Sequence, residues 1–498
     1  MQKFLGISIA LLVVLSSTIQ FENQHYIHES TEPAFFGSKI NEDECGNVTK
    51  EIIWNETEIA SGVDQPFDVF AADIDNDGDI DILSASENDD TIAWYENDGG
   101  SNPNWTTRNI TNNADYAADV HAADIDNDGD IDIVSASQND DKIAWYENHG
   151  GANPNWTEET ITNTADSARG VFVADIDNDG DMDVLSASKG DDTIAWYEND
   201  GGSNPNWTAR DITTSASRAR SVFAADIDND GDIDVISASQ GDDTIAWHEN
   251  HGGANPNWTS RDITNNADGA HSVFAIDLDS DGDIDIVSAS ENDDTIAWYE
   301  NQGGSNPNWS EVEISNNADG ARAVFAADID SDGDVDILSA SGLDDKIALY
   351  ENDGSIDPNW TESIVATDID YPTSVFATDV DNDGHMDIIS SSAFDDYVVM
   401  YRNTPLFHNK EGEPYFVDGK KGSNENPGTE GCPFATIGKA AESITNGDTV
   451  IVSHGIYRES ISIEGLNDVT FKAAEGEKVV IDGSRDIEDD LGGAWEEY

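Results

Sequence analysis

Three regularities predict an all-β fold, a ring of seven four-stranded blades. The run AADIDNDGDIDILSAS recurs with its first Asp at Asp73, Asp124, Asp175, Asp226, Asp277, Asp328 and Asp379, always 51 residues apart. A Trp followed by Thr, Ser or Asn keeps the same step at Trp54, Trp105, Trp156, Trp207, Trp258, Trp309 and Trp360. The apolar segment IAWYEN keeps it again, centred on Trp94, Trp145, Trp196, Trp247 and Trp298, then on Leu349 and Met400. Seven copies of each marker fill residues 50–405 with none left over, and a period of this length marks one supersecondary unit per repeat.

Within a unit, four short runs have strand character. In the second they are Val120–Asp126, Ile131–Ser137, Lys142–Asn148 and Trp156–Ile161, joined by connections rich in Gly, Asn, Asp and Pro such as HGGANPN. Four strands in each of seven units is the arithmetic of a seven-bladed β-propeller; a solenoid would need distinct capping repeats. The array opens with the Trp54 strand and ends with the strand holding Met400. Residues 51–60 are therefore expected to complete the last blade as its outermost strand, which leaves no open sheet edge.

Ahead of the array, Met1-Gln2-Lys3, an apolar stretch Phe4–Leu15 and Ser16-Ser17-Thr18 read as a secretory signal over 1–20, followed by a linker over 21–49. An uncleaved anchor is the alternative, although the stretch is short for a bilayer. A secreted or cell-surface protein is expected. Cys45 and Cys432 flank the array; they can pair with each other in an oxidising compartment, and two unpaired or intermolecular thiols are an expectation of at least equal weight.

The chain carries 22 Lys and Arg against 104 Asp and Glu, a formal charge of −82. Nucleic-acid contacts need clustered cations, so that partner class is excluded, and docking on anionic lipid is disfavoured for the same reason. Such acidity often means disorder. Here 13 Trp, 13 Tyr and 16 Phe at regular intervals argue for a packed fold. Carboxylates this dense point to bound divalent cations.

Residues 73–81 read D-I-D-N-D-G-D-I-D. Side-chain oxygens at positions 1, 3, 5 and 9 and the carbonyl of position 7 make a cage for a hard cation, with Gly at position 6 for the sharp turn. The candidate ligands are Asp73, Asp75, Asp77, Asp79 and Asp81 in the first copy, and Asp124, Asp126, Asp128, Asp130 and Asp132 in the second. They are Asp175, Asp177, Asp179, Asp181 and Asp183 in the third, and Asp226, Asp228, Asp230, Asp232 and Asp234 in the fourth. The fifth and sixth supply Asp277, Asp279, Asp281, Asp283 and Asp285, then Asp328, Asp330, Asp332, Asp334 and Asp336. The seventh supplies Asp379, Asp381, Asp383, His385 through its carbonyl, and Asp387. An EF-hand would need a bidentate Glu at position 12, where every copy has Ser, and flanking helices. Up to seven structural Ca²⁺ ions are thus expected, between strands.

DIDNDGDID between strands, repeated around a propeller, resembles the FG-GAP/VCBS repeats of integrin α-subunit propellers and many microbial surface proteins. The resemblance covers residues 50–405. It implies the propeller fold and calcium in the loops. The Phe-Gly and Gly-Ala-Pro signatures that name the family are replaced by VFAADID and VSAS, so it implies no integrin-like ligand site.

Variation between copies separates scaffold from function. One register reads Phe67, Ala118, Arg169, Arg220, His271, Arg322 and Thr373, placing three Arg and one His in four consecutive copies. In the family's blade order this register begins the innermost strand, on the face opposite the calcium loops. Arg169, Arg220, His271 and Arg322 are therefore candidates for an anion-binding arc at the channel mouth; alternatively, each pairs with a nearby Asp-Asp such as Asp191-Asp192 or Asp242-Asp243. The Trp94 and Trp54 series are expected to pack as core.

After Asn403 the pattern stops. Short runs VIVSHG, ISIEG, VTFKAA and VVIDG follow an amphipathic helix expected over 435–444. The run PFATIGKAAE…GDTVIVSHGIYRE resembles the cap and first coils of right-handed parallel β-helix proteins, including pectate-lyase-like folds, so residues 406–498 are expected to be a partial module of that kind. No HExxH, activated Ser or activated Cys context occurs. The expectation is a monomeric, non-catalytic scaffold for an extracellular protein or glycan. The alternative is an accessory propeller of a polysaccharide-active β-helix enzyme.

Overall fold

The computed structural model describes residues 48–355, 358–409 and 414–481, apart from 425, 446, 460–468 and 475. The expected signal segment, most of the linker, Cys45 and the ISIEG run lie outside the described residues. The chain divides into two units, one holding Trp54–Asn403 and the other the segment ending at Ile53 together with the chain from Thr404.

The first unit is a seven-bladed propeller of four-stranded sheets. The second blade shows the plan, with antiparallel strands Ala117–Ala123, Asp132–Ser137, Lys142–Asn148 and Trp156–Thr162 from the axis outwards. The inner strand starts three residues earlier than the alternation implied and stops before Asp124, because Asp124 already belongs to a tight loop whose Asn127 has a left-handed backbone of φ 59°. The seventh blade is closed by the first strand of the array: its order is Val48–Ser61, Tyr397–Asn409, Asp387–Ser392, Pro372–Thr378. Val63 N donates to Asp396 O at 3.0 Å across this junction.

Every second strand is buried along its whole length, as in Asp81–Ser86 and Asp132–Ser137, and its Ser and Ala residues fit where blades crowd together. Position 12 of the loop repeat falls here: Ser84 Oγ lies 2.8 Å from the Tyr95 hydroxyl, a buried polar pair rather than a metal ligand. Trp94, Trp196 and Trp247 are fully buried, as are Leu349 and Met400 at the same register, which places apolar volume there as expected. The outer Trp series is half-buried and stacks edge-on between blades, with Trp207 at 6.5 Å from Trp145 and Trp360 at 6.4 Å from Trp298.

In the second unit the strands pair in parallel. Tyr415–Val417 pairs with Thr449–Val452, which pairs with Thr470–Ala473, while Gly455–Tyr457 pairs with Val479–Ile481. One short helix, Ile437–Ser443, starts at the N-cap Thr436, whose hydroxyl accepts from Lys439 N at 3.1 Å. It packs Ile437 and Ala440 onto Tyr415, Phe434 and Val450. Cys432 is disulfide-bonded.

Candidate functional site

The acidic loops join each inner strand to its second strand. In the first, Asp73 Oδ1 accepts from Asp77 N at 3.0 Å and Oδ2 from Gly78 N at 3.1 Å, while Asp77 Oδ1 accepts from Asp79 N at 3.0 Å. Left-handed Asn76 (φ 60°) and Gly78 (φ 97°) let the backbone wrap around these carboxylates. One oxygen each of Asp73, Asp75 and Asp81 then lies within 4.8 Å of the others, as do those of Asp124, Asp126 and Asp132 and of Asp175, Asp177 and Asp183. In the fourth and fifth loops the gathered trios are Asp226, Asp228, Asp230 and Asp277, Asp279, Asp281.

These residues fit a divalent cation. Oδ1 of Asp75, Asp177 and Asp228 is buried with no hydrogen-bond donor. Burial, then the charges of Asp77 and Asp73, pushes Asp75 up to about 6. Carboxylates held this close repel one another unless a cation sits between them, and all-oxygen donors select a hard one. Position 9 also braces the fold: Asp81 accepts from Ile74 N at 3.1 Å and from Asn97 N at 2.8 Å, which still leaves each oxygen a lone pair. Position 7 offers its carbonyl, and its side chain ties neighbouring loops together. Asp130 accepts from Asn76 at 3.1 Å, and Asp79 accepts from Asn382 of the seventh blade at 3.4 Å.

The seventh loop departs from the expectation of equal copies. Six copies carry Glu just before the Asn of the IAWYEN segment (Glu96 in the first), whereas the seventh carries Arg402. Its Nε lies 3.0 Å from Asp381 Oδ2, and the Asp381 side chain is 1% exposed. A guanidinium thus already offsets the charge of one carboxylate that a cation would use, although Asp381 Oδ1 is left without a donor, as at Asp75, Asp177 and Asp228.

Sequence reasoning missed the Asn of that same segment. Asn148 Nδ2 donates to Ile131 O in its own blade at 2.8 Å and to Ile74 O in the preceding blade at 3.0 Å, and its Oδ1 accepts from Gly150 N at 2.8 Å. Asn97, Asn199, Asn250, Asn301 and Asn352 make the same inter-blade clip. Its presence in all seven copies was the available clue; an Asn beside a turn reads as turn chemistry until the next blade is in place.

Along the axis the inner strands enclose a cavity of about 360 Å³. Phe70, His121, Phe172, Phe223, Phe274, Phe325 and Phe376 form an unbroken belt around it, with ring centroids 4.6–5.1 Å apart. His121 is the one polar member. Burial pushes it down to about 4, and apart from a weak contact with the adjacent Ala122 backbone its ring nitrogens meet no well-aligned hydrogen-bond partner. Nearer the start of the strands, Asp68 and Asp119 are hydrogen-bonded to each other, and burial followed by the charge of Asp68 holds Asp119 well above the usual carboxylate range.

Arg169, Arg220, His271 and Arg322 all line this cavity, at the ends of the inner strands opposite the acidic loops. They do not pair with the Asp-Asp runs. Arg169 Nη1 lies 2.8 Å from Glu87 Oε1, with the guanidinium over the rings of Phe67 and Tyr116. Arg322 pairs with Glu291, meets the Tyr371 hydroxyl, and stacks on that ring at 4.5 Å. His271 Nδ1 lies 2.8 Å from Arg322 O, and burial followed by Arg220 keeps the imidazole well below its ordinary value. Arg220 reaches Gln240 Oε1 at 3.2 Å, and burial together with Arg169 lowers it to about 9. Burial, then Arg220, Arg169 and Arg218, lowers Lys189 to about 8. The fourth blade also has Ser217 where the other six have Asp64, Asp115, Asp166, Asp268, Asp319 and Asp370. The structure therefore gathers Arg169, Lys189, Arg218, Arg220 and Arg322 against Glu87 and Glu291.

Seven sheets around an axis, with an aspartate cluster able to hold a metal ion in the loop of the blade plan, define a propeller built from acidic-loop repeats. The chain belongs to the FG-GAP-like repeat family, which matches it over residues 73–135, 124–186, 175–237, 226–288, 277–339 and 328–390. An uncharacterized protein of Bacillus subtilis (strain 168), YwoF, is 35% identical over 80 residues, which span 15% of this chain and 17% of that protein. Among solved structures, the virginiamycin B lyase of Staphylococcus aureus is similar over 70% of this chain and 99% of its own, at 13% identity and a TM-score of 0.49. An Agrocybe aegerita lectin that recognises non-reducing terminal N-acetylglucosamine is similar over 65% of this chain and 82% of its own, at 17% identity and a TM-score of 0.42.

Proposed function

We propose that this protein is a secreted or cell-surface, calcium-stapled binding scaffold, non-catalytic, that takes an anionic group of a glycan or protein partner at the mouth of its axial channel. The observation that carries this reading is the cation excess there. At one end of the channel Arg169, Lys189, Arg218, Arg220 and Arg322 outnumber the carboxylates of Glu87 and Glu291 and the neighbouring Asp68–Asp119 pair, whose carboxyls burial pushes towards the neutral form, in a chain of net charge −82. Gathering like charges has a cost, and a ligand anion removes it. Calcium is the cation that the oxygen-only loops suit. The second unit, with its parallel strand pairs, is read as the first coils of a parallel β-helix. The experiment is calorimetric titration of oligogalacturonate and of acidic peptides into the calcium-loaded chain and its Arg220→Gln variant. Binding that the variant loses supports the reading; no binding of any anion, or binding indifferent to Arg220, removes it.

A further inference from the structure

Two features of the channel remain without a structural role. Arg220 is half-buried among other cations and hydrogen-bonds Gln240, which stands between it and Glu291, so it makes no direct carboxylate pair. His121 sits inside the aromatic belt with no hydrogen-bond partner on another blade and only a weak contact with its own Ala122 backbone, at a register where six blades are content with Phe. Buried polar atoms without partners are rare in folded proteins and demand an explanation. Both residues line the same cavity, whose 360 Å³ is at the small-molecule end of binding-site sizes.

We propose that the axial channel binds a small carboxylate with an apolar body: its head on Arg220, its body inside the phenylalanine belt, and a single hydrogen-bonding group on His121. The inference rests on the anion-binding reading above and names the class of ligand. Its dimensions follow from the fold. The mouth register is three residues from the belt along each strand, about 10 Å at strand rise. Seven rings spaced 4.6–5.1 Å apart close a circle roughly 11 Å between opposite centroids, which leaves room for no more than one aryl or branched alkyl group. A sugar ring fits this belt poorly. Six of its seven members offer no polar atom, so most of the hydroxyls carried into it would be left without partners. One neutral imidazole can satisfy one hydroxyl or carbonyl, and the guanidinium can take the carboxylate bidentately.

The test uses the full calcium-loaded chain and four probes: phloretate (a hydroxyphenyl-propanoate), its primary amide, hydrocinnamate (which lacks the hydroxyl), and oligogalacturonate. Phloretate is expected to bind, and to weaken by about tenfold or more both on conversion to the amide and in Arg220→Gln. His121→Phe restores the residue used by the other six blades, so it folds. It is expected to erase the preference for phloretate over hydrocinnamate while keeping hydrocinnamate bound. Equal binding of acid and amide, or an unchanged preference in His121→Phe, overturns the proposal. Should oligogalacturonate bind through Arg220 while phloretate does not, the small-carboxylate inference fails and the broader anion reading stands. Should neither these probes nor the acidic peptides bind, both fall.

Discussion

Glu87 and Arg169 are 82 residues apart in sequence and 2.8 Å apart in space, with each side chain 7% exposed. The pair links the first blade to the third across the channel mouth. Removing one partner leaves the other charge buried, a change that costs about 3–5 kcal/mol in comparable sites. Arg169→Gln should lower the denaturation midpoint strongly, and Glu87→Gln should recover much of the loss in the double variant. Strictly additive single effects would show that the two side chains do not depend on each other.

Calcium removal should lower the melting temperature steeply, because the gathered Asp trios then repel one another. Counting ions by calorimetry should give six sites rather than seven, since Arg402 occupies the Asp381 carboxylate. Arg402→Glu, the residue of the other six copies, should raise the count by one. Seven sites in the unaltered chain would contradict this role for Arg402.

Acid should destabilise the propeller through His248. It replaces the Tyr of the other blades, lies between Ser237 at 2.9 Å and Ser260 at 2.8 Å, and is pushed down to about 4 by burial. With a folded value below the ordinary 6.5, its contribution is complete above 6.5 and is lost as pH falls towards 4. His248→Tyr should flatten the melting temperature over that window and leave it nearly unchanged at pH values above it.

The carboxyl pair in the channel has the opposite sign. Asp119 is raised, so its contribution is complete below the ordinary carboxylate value of 3.8 and declines as pH rises through the folded value. Asp119→Ser copies three other blades, which carry Ser221, Ser272 and Ser374. The variant should melt higher than the parent at neutral pH, with the gap closing in acid.

Asn148→Ala tests the inter-blade clip. It strips a donor from two carbonyls and an acceptor from Gly150 N, at a side chain of a residue only 1% exposed. An expected loss of about 2–4 kcal/mol in urea unfolding follows from leaving such groups unpaired. A loss below the noise of the measurement would mean that water replaces the amide.

Much of this was legible before the fold was known, and the reason is repetition. The 51-residue step fixed blade number, strand number and the closure of the ring, and the Asp spacing located the acidic loops whose carboxylates gather. What escaped was whatever depends on the neighbouring blade. Asn97 reaches the Val380 carbonyl of the seventh blade, and Arg169 reaches past the second blade to Glu87 in the first. Neither partner is close in sequence; the Asn recurs in every copy without naming its partner, and the Arg169–Glu87 pairing has no counterpart in the other copies to betray it. Arg402 was readable as a substitution, but only its contact with Asp381 gave the change a meaning.

The seam of the ring carries a consequence for biosynthesis. The strand Val48–Ser61 must wait beside no partner until Tyr397–Asn409 has left the ribosome, some seven repeats later. During that interval every emerging copy offers a nearly identical third strand to the waiting edge. A premature match would trap a ring with too few blades. The arriving Tyr397–Asn409 differs from the six earlier third strands in reading YVVMYRN instead of variants of TIAWYEN. The strand that closes the ring is thus the one that least resembles its six counterparts.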